Sequence, residues 1–197
     1  MAEEQVAVIV LASASPRRAE LLASAGLPFV VVPSSVVEER LPDEPPDAFV
    51  RRLAAAKARD VAAARSRSTR DFVLAADTDV VLDGDVLGKP RDEDDARAML
   101  ARLSGRVHDV VTGYEVYDAA AGRADGAVVR TRVEFAALGR GEIDAYVATG
   151  EPMGKAGGYA IQGRAAGMIR RIEGSYTNVV GLPLREVLET LARMGAL

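Results

Sequence analysis

Ser13-Ala-Ser15-Pro16-Arg17-Arg18 places two hydroxyls and two guanidiniums where an apolar run gives way to a helix. A helix N-terminus carries roughly half a positive charge, so Arg in its first turn is disfavoured unless an anion lies alongside. Backbone N–H groups at such an end, joined by Arg forks, make a phosphate site without a Gly-rich loop. The alternative is a solvated Arg pair on an ordinary capped helix. Lys57 stands seven residues after Val50 and four before Val61, which at about 100° per residue puts it on the apolar face. It either snorkels to the rim with its stem packed or reaches into an anion-binding site. Asp77-Thr78-Asp79 directly follows the apolar Phe72 to Ala76. Ligands of open α/β sheets gather beyond the carboxyl ends of strands, so Asp77 is a catalytic or metal-ligating candidate, unless it merely caps or turns the chain. Glu38 and Glu39 follow a second strand-like run and reach the same rim if the strands are parallel neighbours. Lys89, just after a hairpin, brings another cation. Carboxylates and lysines around phosphates, with no thiolate at hand, suit Mg²⁺ or Mn²⁺.

Counting removes other chemistries. The 197 residues contain no Cys and one His, His108, so disulfides, thiolate zinc sites, a Cys nucleophile and multi-histidine centres are excluded. The 25 Lys and Arg against 29 Asp and Glu give a net charge of −4, the wrong sign for a nucleic-acid binder. Val6 to Ala12 is far shorter than the roughly 20 apolar residues of a membrane span, and Glu3 and Glu4 precede it where a signal peptide would be basic. No membrane partner and a cytoplasmic location are therefore expected. Asp92 to Asp95 reads as the favoured acidic first turn of a helix, Ser175 lacks a nucleophile-elbow pattern, and His108, inside a strand pattern, reads as structural.

Elements must position these groups. Val6 to Ala12 reads as a strand buried on both faces. A helix follows, capped by Ser15, begun by Pro16 and stopped by Gly26. Phe29 to Val32 is a second strand, Glu38 to Pro46 an exposed loop, and Asp47 opens a long helix to about Ala64. Phe72 to Ala76 is a third strand; Val80 to Leu87 is a hairpin turning at Asp83-Gly84. Asp92 caps a helix ending at Ser104-Gly105. Strands follow at Val107 to Asp118 and Ala127 to Leu138, the second alternating Val129, Thr131, Val133 and Phe135 with charged residues. A helix from Glu142 to Ala148, a Gly-rich segment, a strand near Met168 to Ile172 and an amphipathic helix close the chain. With no repeat or low-complexity linker, the expectation is one α/β domain over residues 1–197, with two lobes flanking a cleft.

Leu11-Ala-Ser-Ala-Ser-Pro-Arg-Arg18, Ala76-Asp-Thr78, Gly88-Lys-Pro90, Leu103-Ser-Gly105 with His108, Lys155-Ala-Gly-Gly-Tyr-Ala-Ile-Gln-Gly163 and Gly174-Ser-Tyr176 with Asn178 to Leu184 together resemble the Maf family of nucleoside triphosphate pyrophosphatases, in order and over nearly the whole chain. The resemblance implies a Maf/inosine-triphosphatase-like fold, a mixed elongated sheet flanked by helices with a central cleft between two lobes. It implies a homodimer that hydrolyses a nucleoside triphosphate to monophosphate and pyrophosphate with Mg²⁺ or Mn²⁺. On this sequence Asp77 matches the family's proton acceptor, and Arg17, Thr78 and Gln162 match positions tied to substrate choice. Ser13, Arg18, Glu38, Lys57 and Lys89 match other cleft residues.

The segment ending at Gln162 looks like the branch acting on dTTP and UTP, not the branch preferring 7-methyl-GTP. One departure is Gly154, where that branch commonly has Asp before the Lys. The expected chemistry has Glu38 and Asp77 holding the metal, Asp77 taking a proton from the attacking water, and Arg17, Arg18, Lys57 and Lys89 neutralising phosphate charge. Gln162 offers donors and an acceptor to a pyrimidine edge. The family's reputation as inhibitors of septum formation supplies the other expectation, a nucleotide-binding regulator of cell division without turnover.

Overall fold

The computed structural model describes residues 8–65 and 71–197; Glu3, Glu4, Val6 and Ala7 lie outside them. The described part of the first apolar run is β1 (Val8–Leu11), which pairs in parallel with β2 (Phe29–Val31) and β3 (Asp71–Leu82). Leu11 sits opposite Val31 on one side and Leu74 on the other, so the chain leaves all three strands toward one rim. The seven-stranded sheet has the order β2-β1-β3-β5-β6-β7, with the short β4 (Asp85–Val86) on β3. The remaining strands are β5 (Val107–Asp118), β6 (Arg123–Phe135) and β7 (Ile169–Glu173). Contacts divide the chain into two compact units, one made of the chain up to Asp77 with Thr112–Val129 and Gly181–Leu197, the other of Thr78–Val111 and Arg130–Val180.

In the first unit, α1 (Pro16–Ser24) and α2 (Pro46–Ala63) flank the parallel strands in sequence. The expected Ser15 cap is absent as a side-chain bond; Ser15 instead donates its N–H to Ser13 Oγ at 3.2 Å. Gly26 stops α1 in the left-handed region, φ 73°, as its freedom from a Cβ allows. Helix α2 buries Val50, Leu53, Ala54, Lys57, Ala58 and Val61. Small residues at 12, 58 and 75 line the cluster beneath it, and a Cβ on Gly113 of β5 would fall 2.5 Å from the Val50 carbonyl. Helix α6 (Leu184–Met194) buries Val187, Leu191 and Met194, and its Thr190 hydroxyl lies 2.9 Å from Tyr114 Oη.

Two boundaries differ from the sequence expectation. Strand β3 does not stop at Ala76 but runs twelve residues to Leu82. Asp77, Thr78 and Asp79 therefore sit inside a strand. The strand outruns β1, whose last partner on it is Leu74, and gains antiparallel pairing from β4 through Val81–Val86. Asp77 still lies past the end of the parallel ladder, which is the position the sequence argument needed. The turn at Asp83 (φ 54°) and Gly84 (φ 88°) has the doubly left-handed geometry of a tight hairpin. Strand β6 begins at Arg123, earlier than the expected Ala127, because the Asp118 carboxylate accepts the N–H groups of Ala120 and Ala121 and tightens the turn.

In the second unit Asp92 caps α3 (Glu93–Leu103), its carboxylate accepting from Asp95 N at 2.8 Å. The acidic cluster is thus a helix cap. Helix α4 (Arg140–Val147), two 3₁₀ turns at 156–158 and 164–168, and α5 (Tyr176–Val180) follow; α5 is too short to show a periodic pattern. Leu100, Leu103, Val133 and Phe135 are fully or nearly fully buried, each worth about 1.5–3 kcal/mol. His108 is buried edge-on against Phe135 and Tyr159, ring centroids 5.1 and 5.5 Å away, with Nε2 2.8 Å from Tyr159 Oη. Burial lowers its pKa to about 4. No helix among the described residues is long and apolar enough to cross a membrane.

Candidate active site

Lys57 resolves the choice its position left open. The side chain is 9% exposed and its ammonium does not reach the rim. Nζ donates to Glu38 Oε1 at 2.5 Å and to Asp77 Oδ1 at 2.6 Å, so the two carboxylate oxygens are no farther apart than the sum of those lengths. Helix α2 delivers the lysine from one side and β3 delivers Asp77, 9% exposed, from the sheet. Glu38 comes from the loop after β2 and is 38% exposed.

That loop is tied to the helix that carries Lys57. The Asp60 carboxylate, one turn on from Lys57, accepts Ser34 Oγ and Ser35 N, both at 2.8 Å, and the Ser35 N–H holds its pKa below the ordinary value. Beyond Glu38, Arg52 Nη2 donates to the Glu39 carbonyl at 2.8 Å. Arg52 also forks onto Glu44 at 2.6 and 2.7 Å, which draws the Glu44 carboxyl down to about 2. Glu38 therefore sits in a strap anchored to α2 on both sides, and needs no secondary structure of its own.

The cationic helix start joins this group. Arg18, in the first turn of α1, donates Nε to the Gly181 carbonyl at 2.8 Å and Nη1 to Ser13 Oγ at 3.2 Å. Burial lowers its pKa, while the charges of Asp77 and Glu38 raise it and that of Arg17 lowers it. Ser13, buried, and Arg18 are thus within electrostatic reach of the two carboxylates. No acidic residue occupies the first turn of α1, so the helix dipole and the guanidiniums act in the same sense on an approaching anion.

Thr78, Lys89 and Gln162 belong to the second unit. There Lys89 and Gln162 are exposed, and their segments are joined by a hydrogen bond from Gly157 N to the Gly88 carbonyl at 2.7 Å. Gly157 (φ 68°) leaves no room for a side chain, since a Cβ would meet Val80 at 2.8 Å. The sequence reading missed the groups that fix these segments, Tyr146, Glu151 and the Gly181 carbonyl. The paired glycines at 157 and 158 are the signal that marks a close backbone approach.

The donor set around Lys57 bears on metal binding. Two carboxylates from separate segments suit a hard divalent ion, and Mg²⁺ is usually held by one or two carboxylates with phosphates and water completing its shell. Among the described residues no group of three or more His, Cys, Asp or Glu forms a metal cluster, so the protein would supply part of a coordination shell.

The family model described as Maf-like protein matches residues 8–194. The chain belongs to the Maf family. It is 58% identical over 189 residues to the dTTP/UTP pyrophosphatase of Geobacter sp. (strain M21), covering 96% of each chain. It is 56% identical over 192 residues to that of Geotalea uraniireducens, again covering 96% of each. The dTTP/UTP pyrophosphatase of Geobacter sulfurreducens is 58% identical over 192 residues, with 96% of this chain and 97% of the relative covered. A solved structure, the Nucleoside-triphosphatase / dITP/XTP pyrophosphatase from Mycobacterium abscessus, has 18% identity, covers 66% of this chain and 75% of its own, and gives a TM-score of 0.43. In this Maf chain Gly154 takes a left-handed φ of 72°, and the Lys155 ammonium finds main-chain oxygen, donating to the Glu151 carbonyl at 2.5 Å. Local charge is therefore met there without an acidic residue at 154.

Proposed function

We propose that this Maf protein hydrolyses dTTP and UTP to the monophosphate and pyrophosphate. The observation that carries the reading is the Lys57 ammonium clasped by Glu38 and Asp77 beside a cationic helix start, in a chain at least 51% identical to proteins named dTTP/UTP pyrophosphatase. A binder of nucleotides needs cations; it does not need a buried carboxylate held in one orientation among them.

Asp77 accepts the proton of a water attacking the α-phosphorus, the bond to the bridging oxygen breaks, and pyrophosphate leaves. Lys57 holds the Asp77 carboxylate in place through its 2.6 Å bond. Ser13, Arg17 and Arg18 receive the phosphates at the start of α1, and Lys89 adds charge; removing one such donor typically costs about 10²–10³ in rate. Glu38 and Asp77 would hold Mg²⁺ or Mn²⁺, which when bound supplies positive charge to the triphosphate. Thr78 and Gln162 take part in substrate choice, the Gln162 amide offering both donors and an acceptor to the O4/N3 edge of thymine or uracil. We take the protein to act in the cytoplasm as a homodimer.

The test is a product assay with Mg²⁺ or Mn²⁺ on dTTP, UTP, CTP, GTP and 7-methyl-GTP in ¹⁸O water. Pyrophosphate as first product, label in the monophosphate and preference for dTTP and UTP are expected. Orthophosphate released first, or label in pyrophosphate, would overturn the attack at the α-phosphorus.

A further inference from the structure

We infer that Tyr146 and Glu151 are positioning residues for base selection, holding between them the loop that presents Gln162. The inference rests on the reading of Gln162 as the base-facing amide. Ala160 N donates to Tyr146 Oη at 3.2 Å, and that hydroxyl donates to Glu151 Oε1 at 2.9 Å. The other oxygen, Glu151 Oε2, accepts Arg164 N at 3.1 Å. Backbone two residues before Gln162 and two residues after it therefore ends on one phenol–carboxylate pair. Between them Gly163 lies directly on the carboxylate, where a Cβ would fall 2.2–2.5 Å from it.

The pair is itself fixed. Tyr146 is 3% exposed in the core of the second unit, and burial raises its pKa so that the phenol stays a neutral donor. Glu151 N donates to Thr149 Oγ1 at 3.1 Å, and the Glu151 carbonyl takes the Lys155 ammonium. Within the loop Ile161 is buried and Gln162 exposed, so the amide points outward from a backbone anchored on both sides. An exposed amide on an unanchored loop would have to be ordered by each substrate it meets. Anchoring removes that cost, and with it the tolerance for a base of different donor pattern.

Glu151→Gln keeps the size of the side chain and replaces one acceptor by a donor. Tyr146→Phe keeps the ring and removes the hydroxyl. Both, with Gln162→Ala and the double variant Glu151→Gln/Gln162→Ala, are assayed for pyrophosphate release on dTTP, UTP, CTP and GTP, with KM and kcat separated and thermal unfolding recorded. Each clamp variant is expected to lower the dTTP-over-CTP ratio of kcat/KM by about ten-fold, the size of one misplaced hydrogen bond, through KM for dTTP and with kcat little changed. In the double variant Glu151→Gln should cost no selectivity beyond that of Gln162→Ala; a purely structural role would lower activity on every base alike and add to the loss. If Gln162→Ala lowers the ratio and both clamp variants keep it, the inference is overturned and the reading of Gln162 stands. If Gln162→Ala keeps the ratio, that reading fails and takes the inference with it. Should Glu151→Gln fail to fold, Tyr146→Phe decides alone.

Discussion

The single histidine of this chain makes one acid transition assignable to one side chain. His108 is 3% exposed, its Nε2 meets the Tyr159 hydroxyl, and its Nδ1 has no hydrogen-bond partner. An imidazolium there would bring a second N–H with nowhere to donate, amid rings and without water. The unfolded chain takes the proton near 6.5, the folded chain only near about 4. The unfolded state thus binds more protons between those values, and stability is whole above pH 6.5 and falls as pH drops through the window. Linkage puts the loss at about 2 kcal/mol at pH 5 and about 3 kcal/mol below pH 4. Glu115, whose pKa burial raises, acts in the opposite sense, so the comparison must be with a variant. His108→Gln carries no charge at either pH; it starts less stable, but between pH 7.5 and 5.0 the wild type should lose about 2 kcal/mol more than it does in urea unfolding. The imidazole proton resonance should titrate with a midpoint of about 4. Equal pH losses in the two proteins, or a midpoint near 6.5, would refute the reasoning.

Asp77→Asn should lower kcat for pyrophosphate release by about 10²–10⁴, the usual worth of a general base, while the far-ultraviolet dichroism stays native. Lys57→Met leaves Asp77 buried beside Glu38 with no cation between them and should cost about 3 kcal/mol, the low end for a broken buried pair because Glu38 is partly solvated. Adding Asp77→Asn to Lys57→Met should restore part of that loss, read as the shift in urea midpoint. Gly157→Ala must adopt a left-handed φ and push Val80 aside, a destabilisation of about 1–3 kcal/mol that thermal unfolding would register.

Apolar periodicity made most elements legible, and at Lys57 it did more. Seven residues after Val50 is two turns of helix, so the lysine had to share the buried face of α2, and it does. Asp83-Gly84 and Asp92 announced themselves because turns and caps depend on local backbone chemistry that a few residues carry. The end of β3 was not legible. Asp77-Thr78-Asp79 looks like the polar close of a strand, and only the outrunning of β1 and the arrival of β4 keep the chain extended. Around the site, Glu38 and Asp77 could be guessed from their places after strands, since parallel pairing to β1 sends both to one rim. The strap through Asp60 and Arg52, and the clamp of Tyr146 and Glu151, could not. Their partners are 8 to 26 residues away in sequence, at spacings set by how loops happen to fold back, and no period encodes that.

Gly113 touches no phosphate, yet it meters the charge geometry of the site. Helix α2 approaches β5 there so nearly that a methyl group on the strand would collide with the helix main chain at Val50. Lys57 lies about 10 Å farther along the same rod. Raising the rod at its near end by even a fraction of an ångström would draw the ammonium off Asp77, which rides on a strand and would not follow. The smallest side chain in the alphabet thus acts as a spacer, and its hydrogen atom sets the height from which a distant cation hangs.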